Sequence, residues 1–157
     1  METGYKVCDA MTRKPIILSS DTSIRNCAQE MEKNHIGTVL VGHNNVLEGV
    51  LSEKDIVRNV VSKGLNPDQT SVDDVMEKNL ITIDPAADIY EALVKMKEFN
   101  IKHLPVMDGP KMVGLLTIKD ILKIEPHLFD MVAEKFELRE EETKPVKNVF
   151  SYRMHEA

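Results

Sequence analysis

Residues 49–55 read GVLSEKD, and residues 114–120 read GLLTIKD. Both stretches follow one pattern: glycine, two apolar residues, a hydroxyl residue, a variable residue, lysine and aspartate. The copies lie 65 positions apart, and the same shift pairs Asp9 with Asp74, Met11 with Met76, and Lys54 with Lys119. A register without gaps indicates that the chain contains two copies of one structural unit.

The repeat predicts the organisation of the chain. We expect a first copy over 5–62, a linker over 63–70, a second copy over 71–125 and a further segment over 126–157. The linker is rich in turn-forming residues. Leu128, Phe129, Val132 and Phe136 follow helical spacing before the acidic run ELREEE at 137–142. The last segment is therefore predicted to be a helix followed by a flexible tail.

Each copy shows the same succession of hydrophobic patterns. In the first copy, strands are expected at 15–18, 39–41 and 46–51, and helices at 24–31 and 53–62. In the second copy, strands are expected at 80–83, 104–106 and 111–116, and helices at 89–96 and 118–124. Asp21 or Thr22, and the Asp84-Pro85 pair, are candidates to begin the longer helices.

A sheet covered by helices on one side needs a partner for its other face, and the second copy can supply it. The predicted fold is α/β (α+β), with two βαββα repeats packed through their sheets with pseudo-two-fold symmetry, plus a C-terminal helix.

Composition narrows the function. The 157-residue chain carries a net charge of −6, which argues against a nucleic-acid surface. No apolar run is long enough to cross a membrane, so a cytoplasmic location is expected. Cys8 and Cys27 are isolated, and the five histidines are scattered without zinc-ligand spacing. We therefore expect no metal site and no required cofactor.

The repeated stretch has two interpretations. Ser52 and Thr117 stand at helix N-cap positions, and Asp55 and Asp120 follow three residues later, which suits a capping box. The same helix start can also hold an anion. In that case the hydroxyls and the helix start bind phosphate, and the aspartates accept hydrogen bonds from a ribose diol. A glycine at each site allows close approach, and a cation lies one turn later: Gly49 and Gly114, Arg58 and Lys123.

These strings, with DAM at 9–11, DVM at 74–76 and NIKHLPV at 100–106, resemble a tandem pair of CBS (cystathionine-β-synthase) domains. Such a pair is called a Bateman module, and the resemblance is to the stand-alone archaeal and bacterial type. It covers about residues 5–125. It implies a regulatory module without catalysis that binds AMP, ADP, ATP or S-adenosylmethionine between the copies.

The resemblance also implies roles for particular residues. Ser52 and Thr117 contact phosphate, and Asp55 and Asp120 hold the ribose. Ile101, Lys102 and His103 line the base and phosphates of one site. The first copy retains Ile36 but has Gly37, Thr38 and Leu40 where the second has Lys102, His103 and Pro105. The adenine stacks on Val50 or Leu115 and bonds to backbone near Ser20 or Pro85.

Two hypotheses follow. In the first, the chain is a homodimeric nucleotide sensor that changes shape and signals to an unidentified partner protein. In the second, it is a ligand-free interaction or dimerisation module in which the repeated stretches only cap helices. An enzyme is disfavoured because no nucleophile is assembled with a base.

Overall fold

Each half of the chain folds into a leader segment, a helix, a hairpin and a closing helix. The leader segments are residues 6–16 in the first copy and 71–81 in the second. The computed structural model describes residues 1–134. In chain order its elements are α1 (Val7–Ala10), β1 (Ile17–Leu18), α2 (Ile24–Asn34), β2 (Thr38–His43), β3 (Val46–Ser52), α3 (Glu53–Ile56), α4 (Ile89–Phe99), β4 (His103–Asp108), β5 (Lys111–Thr117) and α5 (Ile118–Ile124). The predicted class, a mixed fold of two related repeats, is confirmed.

The two long helices begin at residues other than the predicted caps. Ser23 caps α2 by accepting a hydrogen bond from a first-turn amide, and Asp88 does the same for α4. Asp21 instead accepts the Ser19 hydroxyl at 2.6 Å, and Asp84 accepts the Ala86 amide at 2.8 Å in a preceding turn. The predicted starts at Asp21 or Thr22 and at Asp84-Pro85 are therefore wrong.

The two sheets differ in their first strand. In the first copy, β1 runs parallel to β2, and β2 is antiparallel to β3. In the second copy, β4 and β5 form a two-stranded sheet. The predicted strand at 80–83 is wrong, because this segment keeps only one isolated parallel bridge, between Ile83 and Val106. Pro105 has no amide hydrogen to extend the pairing, whereas Leu40 at the equivalent position has one.

The leader segment of each copy pairs with the other copy. Thr12 exchanges two backbone hydrogen bonds with Leu115, at 2.8 and 3.0 Å, and Glu77 exchanges two with Val50, at 2.9 and 3.0 Å. Two further bridges join Lys6 with Asp88 and Ser71 with Ser23. The shift of 65 residues relates the Thr12–Leu115 bridge to the Glu77–Val50 bridge, and the Lys6–Asp88 bridge to the Ser71–Ser23 bridge. The pseudo-two-fold arrangement therefore depends on interleaved leaders.

Side-chain packing follows the same interchange. Val7 lies in the core of the second copy, and Val72 lies in the core of the first. A third cluster joins the faces of the two sheets: Leu40, Leu47, Val50, Met112 and Leu115. Since this cluster draws on both copies, movement between the copies must rearrange it.

The closing helices of the two copies differ. The second copy has the predicted helix, α5, over Ile118–Ile124. The first copy has a short α-helix, α3, that continues as a π-helical turn over Val57–Val61. In that turn Val57 and Val61 are exposed, at 59% and 68% of their surface.

The end of the described chain is helical. A 3₁₀ turn spans Pro126–Leu128, and residues 129–134 are helical. The acidic run at 137–142 and the predicted tail lie outside the described residues. Over residues 1–134, no helix has the length and apolar character needed to cross a bilayer.

Candidate functional site

The hydroxyl and aspartate residues of the repeat make helix-start contacts. Asp55 Oδ2 accepts the Ser52 amide at 2.8 Å and lies 3.1 Å from the Ser52 hydroxyl. Asp120 Oδ2 accepts the Thr117 amide at 2.9 Å, and Thr117 Oγ1 accepts the Asp120 amide at 3.2 Å. The predicted cap positions are confirmed. Within residues 1–134, Oδ1 of Asp55 and of Asp120 receives no hydrogen bond, so one oxygen of each remains available to a ligand.

The repeated glycines lie against protein atoms. A Cβ at Gly114 would lie 2.7 Å from Met11 Sδ and 2.8 Å from the Thr12 carbonyl oxygen. A Cβ at Gly49 would lie 2.7 Å from Met76 Cγ. The close approach predicted at these glycines is therefore made by the leader of the other copy, and the space beside them is already filled.

A small cleft opens between the two copies. One wall is Val50 from β3, and the remaining lining comes from the second copy: Glu77, Asn79, Leu80, Ile81, Ile101, His103 and Pro105. Its volume is about 40 Å³, which holds only a few water molecules. We call this the Val50 cleft. Its walls are mainly apolar and belong to different copies.

His103 connects this cleft to the helix start of the first copy. Burial lowers the pKa of His103 below its ordinary value of 6.5, the nearby Asp55 charge opposes this shift, and the Lys54 charge adds to it. His103 is therefore mostly neutral at pH 7, and it can donate or accept a hydrogen bond. The charge effects place Asp55 of the first copy in the neighbourhood of His103 of the second, although Asp55 is not among the residues that line the cleft.

Pro105 leaves a backbone acceptor in the cleft wall. In the first copy, the Leu40 amide donates to the Ile16 carbonyl at 3.1 Å. The equivalent pair in the second copy is Pro105 and Ile81, and proline has no amide hydrogen to donate. Within residues 1–134, no hydrogen bond reaches the Ile81 carbonyl. Because Ile81 and Pro105 both line the cleft, this carbonyl can accept a hydrogen bond from a bound molecule.

Several predicted site residues lie elsewhere. The Ser20 carbonyl accepts the Asp73 amide at 3.1 Å, and the Pro85 carbonyl accepts the Cys8 amide at 3.0 Å. Neither residue lines the Val50 cleft. The predicted backbone contact near Ser20 or Pro85 therefore does not match this cleft, where Ile81 offers the acceptor.

The remaining candidates divide between the two copies. Leu115 packs in the cluster between the sheets, and Ile36 packs against the core of the first copy. Three candidate cations, Arg58, Lys102 and Lys123, are exposed. Among residues 1–134 their charged groups make no ion pair.

Sequence reasoning missed two residues that line the cleft, Glu77 and Ile81. Glu77 is held there by its backbone pairing with Val50 of the first copy. The substitution of Leu40 by Pro105 across the repeat was the available signal for the free Ile81 carbonyl.

No metal site accompanies the cleft in the described part of the chain. Residues 1–134 contain no group of three or more His, Cys, Asp or Glu side chains placed to hold an ion. A separate depression of about 270 Å³ borders Arg13, Lys14, Asn45 and Gly114. Arg13 there donates to the Cys8 carbonyl at 3.3 Å.

The structure is thus a duplicated βαββα unit with interleaved leaders and a cleft between its copies. The family model of the CBS domain matches residues 7–62 and 72–127. This chain therefore belongs to the CBS domain family and carries two CBS domains.

Relatives and solved structures agree with this assignment. An uncharacterized protein of Methanopyrus kandleri is 33% identical over 135 residues, which cover 84% of this chain and 69% of that protein. The crystal structure of an uncharacterized conserved protein from Pyrococcus horikoshii has a TM-score of 0.73 and 30% identity, covering 79% of this chain and 94% of that one.

A second similar structure contains ligands. It is the CBS domain pair of protein MJ0100 in complex with 5′-methylthioadenosine and S-adenosyl-L-methionine. Its TM-score is 0.70 at 24% identity, covering 78% of this chain and 97% of that one. This likeness establishes the shared fold.

Proposed function

We propose that this chain is a regulatory module that binds an adenosyl ligand in the Val50 cleft and transmits the resulting change of shape to a partner protein. The candidate ligands are AMP, ADP, ATP and S-adenosylmethionine. The observation that carries the proposal is the combination of apolar walls, the Ile81 carbonyl without a partner, and the neighbouring Asp55 and His103. The ligands bound to the CBS domain pair of MJ0100 add support.

Each group in the cleft suits one part of such a ligand. Val50 and Ile101 can pack on the faces of a purine, and the Ile81 carbonyl can accept a hydrogen bond from its amino group. Asp55 can accept hydrogen bonds from a ribose diol with its open Oδ1. Neutral His103 can donate to a phosphate or carboxylate oxygen, and the charge of Lys54 favours an anionic group nearby.

The size of the cleft links binding to movement. A cavity of about 40 Å³ is too small for a purine, so the ligand must separate Val50 from Ile101 and Pro105. These walls belong to different copies, and their separation changes the angle between the copies. A ligand shifts this equilibrium by as much as its affinities for the closed and opened forms differ. A partner that recognises the opened surface would detect the ligand.

We also propose that the module works as a homodimer. Val57, Val61 and Leu65 expose apolar surface on and just after the π-helical turn, at 59%, 68% and 46%. Burial of such a patch against a second copy would remove it from water. Light scattering coupled to size-exclusion chromatography would report twice the chain mass of 17.8 kDa. A single-chain mass at micromolar concentration would refute this part of the proposal.

The ligand-free interaction module remains a second candidate, because one observation favours it. Asp9 and Asp74 make the same kind of contact with the amides of Lys6 and Ser71, at 2.8 and 3.3 Å. Such contacts stabilise short helical turns without any ligand. Under this alternative, substitution of Asp55 changes stability but has no ligand affinity to remove.

Thermal unfolding of the full chain separates the two candidates. AMP, ADP, ATP and S-adenosylmethionine are each added at millimolar concentration. A true ligand at a hundredfold excess over its Kd raises the free energy of unfolding by about 2.7 kcal/mol. We expect at least one compound to raise the midpoint, and Asp55→Asn to remove the rise. If none of the four changes the midpoint, the sensor proposal is wrong.

A further inference from the structure

We propose that each chain binds one adenosyl ligand, because the first copy closes the counterpart of the Val50 cleft with its own backbone and Leu40. This inference rests on the proposed function and adds its stoichiometry and the residue that determines it. The counterpart is found by the 65-residue shift: Leu115 takes the place of Val50, Ile16 that of Ile81, and Leu40 that of Pro105.

Residues 81–83 and residues 16–18 follow the same parallel hydrogen-bond pattern with the next strand, except at the bond that involves residue 105 or 40. In the second copy, the Ile83 amide donates to the Pro105 carbonyl at 3.1 Å, and the Met107 amide donates to the Ile83 carbonyl at 2.9 Å. This is the parallel pattern that β1 and β2 follow in the first copy, where Leu18 lies opposite Val41. The next bond in the pattern would run from residue 105 to the Ile81 carbonyl, and proline cannot make it.

The first copy completes that bond and fills the space behind it. The Leu40 amide donates to the Ile16 carbonyl at 3.1 Å, so the acceptor equivalent to Ile81 is already used. The Leu40 side chain is 0% exposed and belongs to the same buried cluster as Leu115. Entry of a planar ring at either place must separate buried apolar side chains, since Leu40, Val50 and Leu115 belong to one cluster. Entry beside Leu40 must in addition break the strand hydrogen bond to Ile16, which has no equivalent at Pro105.

The copies also differ at the neighbouring position. Thr38, at the place of His103, lies opposite Ser52 in β2 and β3, as His103 lies opposite Thr117 in β4 and β5. A threonine hydroxyl at this place is shorter than an imidazole. This difference adds to the one at Leu40, and both favour a single functional cleft, the Val50 cleft.

Isothermal titration of the full chain with AMP, ADP, ATP and S-adenosylmethionine in turn tests the inference. We expect the compound that binds to do so with one site per chain. Asp55→Asn should weaken binding at least about tenfold, since a hydrogen bond to a charged group is lost. Asp120→Asn is the matched control, because it removes the equivalent helix-start carboxylate in the other copy. Its Kd should stay within about twofold of the wild-type value.

Two further variants exchange the presence and absence of the backbone amide at residues 40 and 105. Pro105→Ala restores an amide hydrogen opposite the Ile81 carbonyl, so binding should weaken about tenfold. Leu40→Pro removes the amide that occupies Ile16, and a second site should appear in the titration. If Leu40→Pro does not fold, the comparison of Asp55→Asn with Asp120→Asn decides the question in the wild-type background.

The outcomes separate this inference from the function on which it rests. Two wild-type sites per chain, or equal loss of affinity in the two aspartate variants, would overturn the single-cleft inference and leave the sensor function standing. No heat of binding with any of the four compounds, together with no change in the thermal midpoint, would overturn both.

Discussion

Substitution of the two repeated glycines by alanine should have unequal effects, although the glycines occupy equivalent positions. The Cβ of Gly114→Ala would meet the Thr12 carbonyl oxygen at 2.8 Å, where 3.4 Å begins ordinary contact. That oxygen is held by the Leu115 amide at 3.0 Å, so relief requires movement of backbone. Near Gly49 the closest atoms all belong to the Met76 side chain, which can change rotamer.

The magnitudes follow from this difference. Overpacking of a core costs about 1–3 kcal/mol, and replacement of glycine by alanine recovers about 0.4–1 kcal/mol through the unfolded chain. Because the Thr12 backbone cannot easily yield, we take an overpacking cost of about 3 kcal/mol for Gly114→Ala. After the gain of up to about 1 kcal/mol from the unfolded chain is subtracted, the free energy of unfolding should fall by about 2 kcal/mol. For Gly49→Ala we expect a loss below about 1 kcal/mol, because the methionine can yield.

Urea denaturation of the two variants, followed by circular dichroism, measures both values. A double-mutant cycle then identifies the cause. Met76→Ala should relieve most of the overlap at Gly49→Ala, whereas Met11→Ala should leave the overlap of Gly114→Ala with Thr12. Equal losses in the two glycine variants, or a larger loss for Gly49→Ala, would refute the proposed role of backbone contact in joining the copies.

Three other predictions concern individual groups. Asp88→Ala and Ser23→Ala each remove the cap of a long helix and should cost about 1 kcal/mol in urea denaturation. The thiol of Cys27, whose pKa burial raises to about 11, should resist alkylation at pH 8 that modifies Cys8. Because the folded-state pKa of His103 lies below 6.5, the unfolded chain takes up its proton first. The free energy of unfolding should fall as the pH drops below 6.5, and urea midpoints should fall less in His103→Gln.

The repeat allowed most of the secondary structure to be predicted, but it could not show which copy each leader joins. A shift of 65 residues pairs Met11 with Met76 whether these residues pack on their own copy or on the other. The interchange became visible only through contacts such as Thr12 with Leu115. For the same reason, the sequence did not predict which residue of the other copy lies near Asp55; the structure shows that it is His103.

Lys54 and the π-helical turn show what a spacing pattern within one helix leaves out. Lys54 is exposed. Its charge nevertheless acts on His103 across the boundary between the copies, which spacing within one helix cannot indicate. The π-helical turn over Val57–Val61 likewise has no counterpart in the helical pattern that predicted 53–62.

Comparison of the copies separates residues that hold the fold from residues that define the cleft. Two features that occur in both copies make contacts that the fold itself requires. The aspartate at each helix start accepts a backbone amide, and each repeated glycine leaves room for a methionine from the leader of the other copy. The fold needs such residues twice, so their repetition says little about a ligand. Leu40 and Pro105 differ at one shared position, and this difference changes a hydrogen-bond acceptor from occupied to open. The positions where the repeat is broken therefore point to the binding site more directly than the repeated stretch itself.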